Sequence, residues 1–202
     1  MLTRGVMSVN EKVDYLSKCN KKEKLAFSLA STCAPVIKGL SVSNTLTVKQ
    51  GEFKIIESLL VGTPLSCFLL YSGKNEIVLI ARLNKLKDHL NNKTISSYLE
   101  EFGYEDYSLE YVIEKLYTRF YEFYNNKQSF PHELGIILNY PLDDIKGFIQ
   151  NDGKRALACK YWKVYSNVEE SLKKFKEFDK AIDTCLYQIV NGYRLDEIIT
   201  GG

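Results

Sequence analysis

His132 and Glu133 stand side by side in the stretch Phe130 to Gln150, FPHELGIILNYPLDDIKGFIQ. An imidazole beside a carboxylate is a pairing that serves general acid–base catalysis and metal ligation alike. A zinc-peptidase helix needs a second histidine four residues after the first; position 136 is Ile136, which excludes that chemistry. Ser129 and Pro131 suit a helix start, so His132 falls in a first turn, where the helix dipole disfavours the imidazolium. A neutral His132 is a candidate ligand or base, with Glu133 orienting it or accepting its proton. The alternative is a histidine hydrogen-bonded into a loop–helix junction. Cys33, in Cys33-Ala34-Pro35, is the second reactive candidate, as a soft ligand to iron or haem or as a nucleophile. It lies at a helix end, where the dipole gives a thiolate no help. A nucleophilic role for Cys33 or Cys159 therefore needs His132 or a lysine brought close by the fold. Otherwise such cysteines are small buried hydrophobes.

The same 130–150 stretch has the pattern of a helix-turn-helix, with Gly135, a left-handed stop at Asn139 and Pro141 opening the second helix. A base-reading helix presents Arg, Lys, Asn, Gln or Ser, whereas this one presents Asp143 and Asp144, which repel phosphates. A structural helical hairpin is the expectation and DNA binding is not. Asp143-Asp144 and Glu100-Glu101 are adjacent pairs that diverge around a helix, and both are expected to be solvated. No phosphate-binding glycine loop and no G-x-S-x-G elbow occurs. Five cysteines without a C-x-x-C spacing, and two histidines, give neither a disulfide framework nor a local zinc knuckle.

These residues need elements to position them. Asn20 with Glu23 three residues on signals a capped helix carrying Leu25, Leu29 and Cys33, and Asn10 is expected to cap a shorter helix before it. The lysines around Asn20 read as a solvated helix start. Ser66–Tyr71 and Glu76–Arg82 flank Ser72-Gly73-Lys74-Asn75 and predict a β-hairpin apolar on both faces. Cys67, Leu69 and Tyr71 are expected on one face, Phe68 and Leu70 on the other, with helices over both. Thr45–Val48 and Lys160–Tyr165 are expected to bring the sheet to about four strands. Short helices over 85–90 and 94–102 precede a long one over 108–127. Its apolar stripe (Leu109, Val112, Ile113, Leu116, Phe120, Phe123) lies beside a tyrosine stripe (Tyr107, Tyr111, Tyr117, Tyr121, Tyr124). That second stripe is either the outer side of a packed helix or an aromatic wall for a planar ligand or partner. A last helix from Asn167 to Gly192 is expected to lie across the sheet.

Charge and length bound the rest. The 202 residues carry 27 Lys+Arg against 25 Asp+Glu, a net charge of +2, which excludes a polybasic nucleic-acid binder. No apolar run reaches membrane-spanning length and no secretory leader is legible, so a cytoplasmic protein without a membrane partner is expected. The wealth of Lys, Asn, Ile and Tyr fits an AT-rich bacterial source. The expected fold is a single α+β domain over 1–202, with 1–20 a loosely attached helix. A small, mainly antiparallel sheet would be built around the 66–82 hairpin and packed by helices, the longest at the C-terminus.

Three segments carry a resemblance: Cys33-Ala34-Pro35 followed by Gly39, FPHELGIILNYPLDDIKGFI at 130–149, and Tyr161-Trp162-Lys163-Val164-Tyr165. On these the chain resembles, from about Ser28 to Tyr187, a family of clostridial and related Firmicutes proteins catalogued only as a domain of unknown function. It departs from the family pattern at Val36, where Thr is expected, and at Asn139 and Lys160, where Gly is expected. A ligand approach that needs bare glycine at those turns is therefore not implied. The resemblance brings no activity with it; it implies only that relatives lie near flavodoxin or iron-uptake genes. The reading is a binding or accessory protein connected to iron, haem or thiol redox chemistry. His132 and Cys33 are its candidate ligands, and Tyr140, Trp162 and Tyr165 its candidate pocket walls. Two alternatives stay open: a small cysteine/histidine enzyme, and a partner-binding module or homodimer covering the tyrosine stripe.

Overall fold

Two adjoining runs, LSCFLLYS and NEIVLIAR, are apolar at nearly every position, so neither face of the strands they form can be left to water. The computed structural model describes residues 7–201. In it these runs are β2 (Leu65–Ser72) and β3 (Asn75–Arg82), joined by a tight turn, with β1 (Ser43–Lys49) on the far side of β3. The resulting sheet is antiparallel, in the order β1-β3-β2. Alternation along β3 sends Val78 and Ile80 into one core and Leu79 and Ala81 into another, one on each face.

A bulge interrupts the β2–β3 register between Leu69 and Tyr71. The extra residue turns Tyr71 over, so it joins Phe68 and Leu70 on the second face instead of Cys67 and Leu69 on the first. There it stacks on Tyr124, ring centroids 3.9 Å apart.

The first face is covered by α2 (Lys21–Thr32), α3 (Ala34–Ile37), α4 (Phe53–Leu60), α10 (Val168–Val190) and α11 (Leu195–Thr200). The Asn20–Glu23 capping box forms as the sequence predicts, while α1 (Val9–Lys18) is capped by Ser8 with Glu11, not by Asn10. Helix α1 buries none of its residues fully; Tyr15 and Leu16 are its contacts with the core. Helix α10 packs chiefly on α2 and α3 rather than across the sheet. Helix α4 has no counterpart in the sequence expectation.

The second face is covered by α5 (Leu83–Leu90), α6 (Lys93–Glu100), α7 (Leu109–Tyr124), α8 (Leu134–Ile137) and α9 (Leu142–Gln150). Leu109, Val112, Leu116 and Phe120 of α7 are buried, and Tyr117, Tyr121 and Tyr124 are exposed. The α8–α9 pair is a helical hairpin whose turn is closed by Asn139 in the left-handed conformation. The expected fourth strand does not join the sheet. Residues 163–164 instead form β5 (Lys163–Val164), paired with β4 (Ala158–Cys159) as a separate two-stranded ribbon. That ribbon seats Trp162 and Val164 on Phe175 and Phe178 of α10.

Candidate functional site

The ribbon, α9 and the turn before α8 leave an open cleft of about 440 Å³ between them. Its walls are mostly rings: Phe130, His132, Tyr140, Phe148, Tyr161 and Trp162. Leu134, Leu138 and Ile145 complete the apolar lining; the polar groups are Thr45, Asp144, Cys159, Lys160 and Lys163. Its volume falls within the roughly 300–1,000 Å³ range of clefts that can take a small molecule.

Each wall is held in place by an identifiable contact. Trp162 is stacked by Tyr140 at 5.2 Å and met edge-on by Phe175 at 4.5 Å. Its indole Nε1 donates to Oδ2 of Asp144 at 2.8 Å, and Oδ1 of the same carboxylate accepts from the backbone N–H of Tyr165 (2.7 Å) and Ser166 (3.0 Å). Asp144 is thus a buried anchor that ties the ribbon to α9, contrary to the solvated role expected for it; Asp143 does face water. At the neighbouring corner, Lys160 pairs with Asp179 of α10 at 2.5 Å, and the Tyr161 hydroxyl donates to Asp179 at 2.8 Å. Gly147 makes the close approach possible, because a Cβ there would stand 2.4 Å from Cβ of Tyr165.

His132 lies between Phe130 and Phe148, centroids 5.7 and 5.4 Å away. Its pKa is lowered, first by burial among these rings; the Arg119 guanidinium adds to this and the Glu133 carboxylate opposes it. The lowering has the direction expected from the sequence, but its cause is burial and not a helix dipole, since the turn at 132 precedes a helix of only four residues. Glu133 does not hydrogen-bond His132. Its fully buried carboxylate lies 2.8 Å from Nε of Arg119, accepts from Arg119 Nη2 at 3.2 Å and meets the Tyr104 hydroxyl at 3.5 Å. Arg119, the single arginine of α7, escaped the sequence reading. Its signal was a cation one place before the buried Phe120 and three after the buried Leu116, on the side of the helix that meets the core.

Of the residues singled out from sequence, the cleft brings together His132, Tyr140 and Trp162, with Cys159 at its edge. Cys33 is elsewhere. It is fully buried in the core on the sheet's first face, and desolvation pushes its thiol up to about 12. Tyr165 is not among the cleft's lining residues and instead lines a separate polar hollow with Asp143, Lys146 and Arg155. Phe130, Phe148, Tyr161 and Lys163 line the cleft without having been expected there, although Phe130 and Phe148 sit inside the motif that carried the resemblance. Among the described residues no three of His, Cys, Asp and Glu gather into a metal-binding set.

The sequence model of the family DUF3793, a protein family of unknown function, matches residues 29–199. No curated protein and no solved structure matches the chain.

Proposed function

Since the chain belongs to the DUF3793 family, whose description assigns no activity to transfer, we propose from its geometry that it holds a small apolar molecule in the 130–163 cleft and acts as a binding or accessory protein. One observation carries this: a cleft of ligand size walled by six rings, with its buried carboxylate fully engaged in holding the wall. An iron or haem role is left with His132 and Cys159 of the cleft, because Cys33 is buried away from it and, among the described residues, no third His, Cys, Asp or Glu gathers there. Five free thiols suit a reducing compartment, which supports a cytoplasmic setting.

The chain's single tryptophan, Trp162, lines the cleft and reports on it directly. Titration with phenylnaphthylamine, a neutral planar probe, is expected to quench Trp162 saturably with energy transfer, at one molecule per chain. Phe148→Ala, and separately Leu134→Phe, should weaken binding several-fold while far-ultraviolet circular dichroism stays unchanged. Absence of a saturable Trp162 response, or a response indifferent to both substitutions, would overturn the reading.

A second reading is favoured by one fact: Cys159 is exposed and lines the same cleft as the neutral His132. In that reading Cys159 is the nucleophile and His132 its base. It requires that Cys159→Ser abolish turnover, while leaving phenylnaphthylamine binding intact.

A further inference from the structure

The charges that line the cleft can be accounted for one by one. Asp144 spends both oxygens on Trp162 and on the 165–166 backbone. Lys160 is neutralised by Asp179. His132 has its cationic form disfavoured by burial among the rings. Lys163 remains, and among the described residues it has no carboxylate within ion-pair distance. Lys163 is exposed as a residue, and its ammonium has two contacts: Nζ donates to the Gly153 carbonyl at 2.6 Å and lies 5.5 Å from the centre of the Phe148 ring. One hydrogen bond leaves two ammonium protons unspent.

Position and shape agree with this inventory. Both His132 (5.4 Å) and Lys163 (5.5 Å) lie beside the Phe148 ring, so an ammonium and an imidazole border one aromatic side chain of the cleft wall. A lysine already anchored by a carbonyl and a ring loses little side-chain entropy on meeting an anion. The preponderance of rings in the lining favours a flat partner over a flexible chain, because offset and edge-on contacts are open to a π-face.

We propose that the natural ligand is a planar aromatic anion, its rings among Phe130, Phe148 and Trp162 and its carboxylate, sulfonate or phosphate group on Nζ of Lys163. This deepens the binding reading above and rests on it. The cation makes a charge-assisted hydrogen bond that the neutral ring system alone cannot make.

Two probes differing by one group test it. Anilinonaphthalene sulfonate and phenylnaphthylamine share a ring system, and only the first is an anion; both are followed through energy transfer from Trp162. The sulfonate is expected to bind about tenfold more tightly, as one charge-assisted hydrogen bond implies. That margin should shrink with added salt, vanish in Lys163→Met and survive in Lys163→Arg. Equal binding of the two probes to the unaltered protein would overturn the anion inference while leaving the apolar cleft in force. Displacement of the sulfonate by dodecanoate at equal or lower concentration would overturn the aromatic part, making the ligand an aliphatic anion. Failure of both naphthyl probes to engage Trp162 would remove the binding reading itself, and this inference with it.

Discussion

A thiol reacts in proportion to its access to water and to the fraction present as thiolate, and the five cysteines differ in both. Cys159 is exposed; Cys33 is fully buried with its thiol pushed up to about 12, and burial pushes Cys67 and Cys185 up to about 11. Timed alkylation of the native protein, read by mass spectrometry of peptides, should label Cys159 first and Cys33 and Cys185 last, the latter two only on the timescale of opening. The two histidines supply a second prediction. Both have pKa values depressed mainly by burial, from an ordinary value near 6.5. Below about pH 6.5 the unfolded chain takes up protons that the folded chain refuses, so stability falls as pH drops through that value towards the depressed folded ones. The urea midpoint should decline from about pH 7 to pH 5.5, and His89→Gln and His132→Gln should each flatten the decline. At this scale the sequence disclosed His132 and Trp162 as notable residues but could not show that they converge. Asp144 was misjudged for the same reason: its neighbour Asp143 does face water, and the four donors that engage Asp144 lie on a segment beyond the next turn.

Segments inherit their placement from such contacts. The ribbon 158–164 has only two strand residues on each side, too few to stand alone, and leans on Asp144 and on α10. Asp144→Ala leaves four donors without their acceptor and should cost at least about 3 kcal/mol in urea unfolding, with Trp162 emission shifted to the red. Gly147→Ala should cost about 1–3 kcal/mol by forcing α9 away from Tyr165. Helix α7 is tied to the turn before α8 by Arg119 and Glu133. Removing Arg119 alone, by Arg119→Met, strands a fully buried carboxylate and should cost about 3–5 kcal/mol, whereas Arg119→Met with Glu133→Leu should recover most of the loss. The hairpin and the long helices were legible because their apolar spacing extends over many residues. Two features were not. The spacing of Phe53, Ile56 and Leu60 marks α4, but only over two turns, and the bulge that turns Tyr71 over depends on cross-strand register, which one strand's sequence does not contain.

Over the whole molecule, a three-stranded sheet separates two apolar cores, and only the second contributes to the cleft. The matched family region begins at residue 29, inside α2, and α1 before it buries no residue fully. Deleting residues 1–19 removes the contact of Tyr15 with Phe27 and its hydrogen bond to the Ile189 carbonyl. The truncated protein should stay folded, lose roughly 1–3 kcal/mol in urea unfolding, and bind naphthyl probes with unchanged affinity. The cleft itself has an unusual address. Apart from Thr45, every residue that lines it falls between Phe130 and Lys163. Sites assembled from scattered loops change their preferences by many separate steps. This one is written in a single unbroken passage of the chain, so exchanging that passage between relatives would transfer the choice of ligand as a cassette, leaving the sheet and its other core to be inherited unchanged.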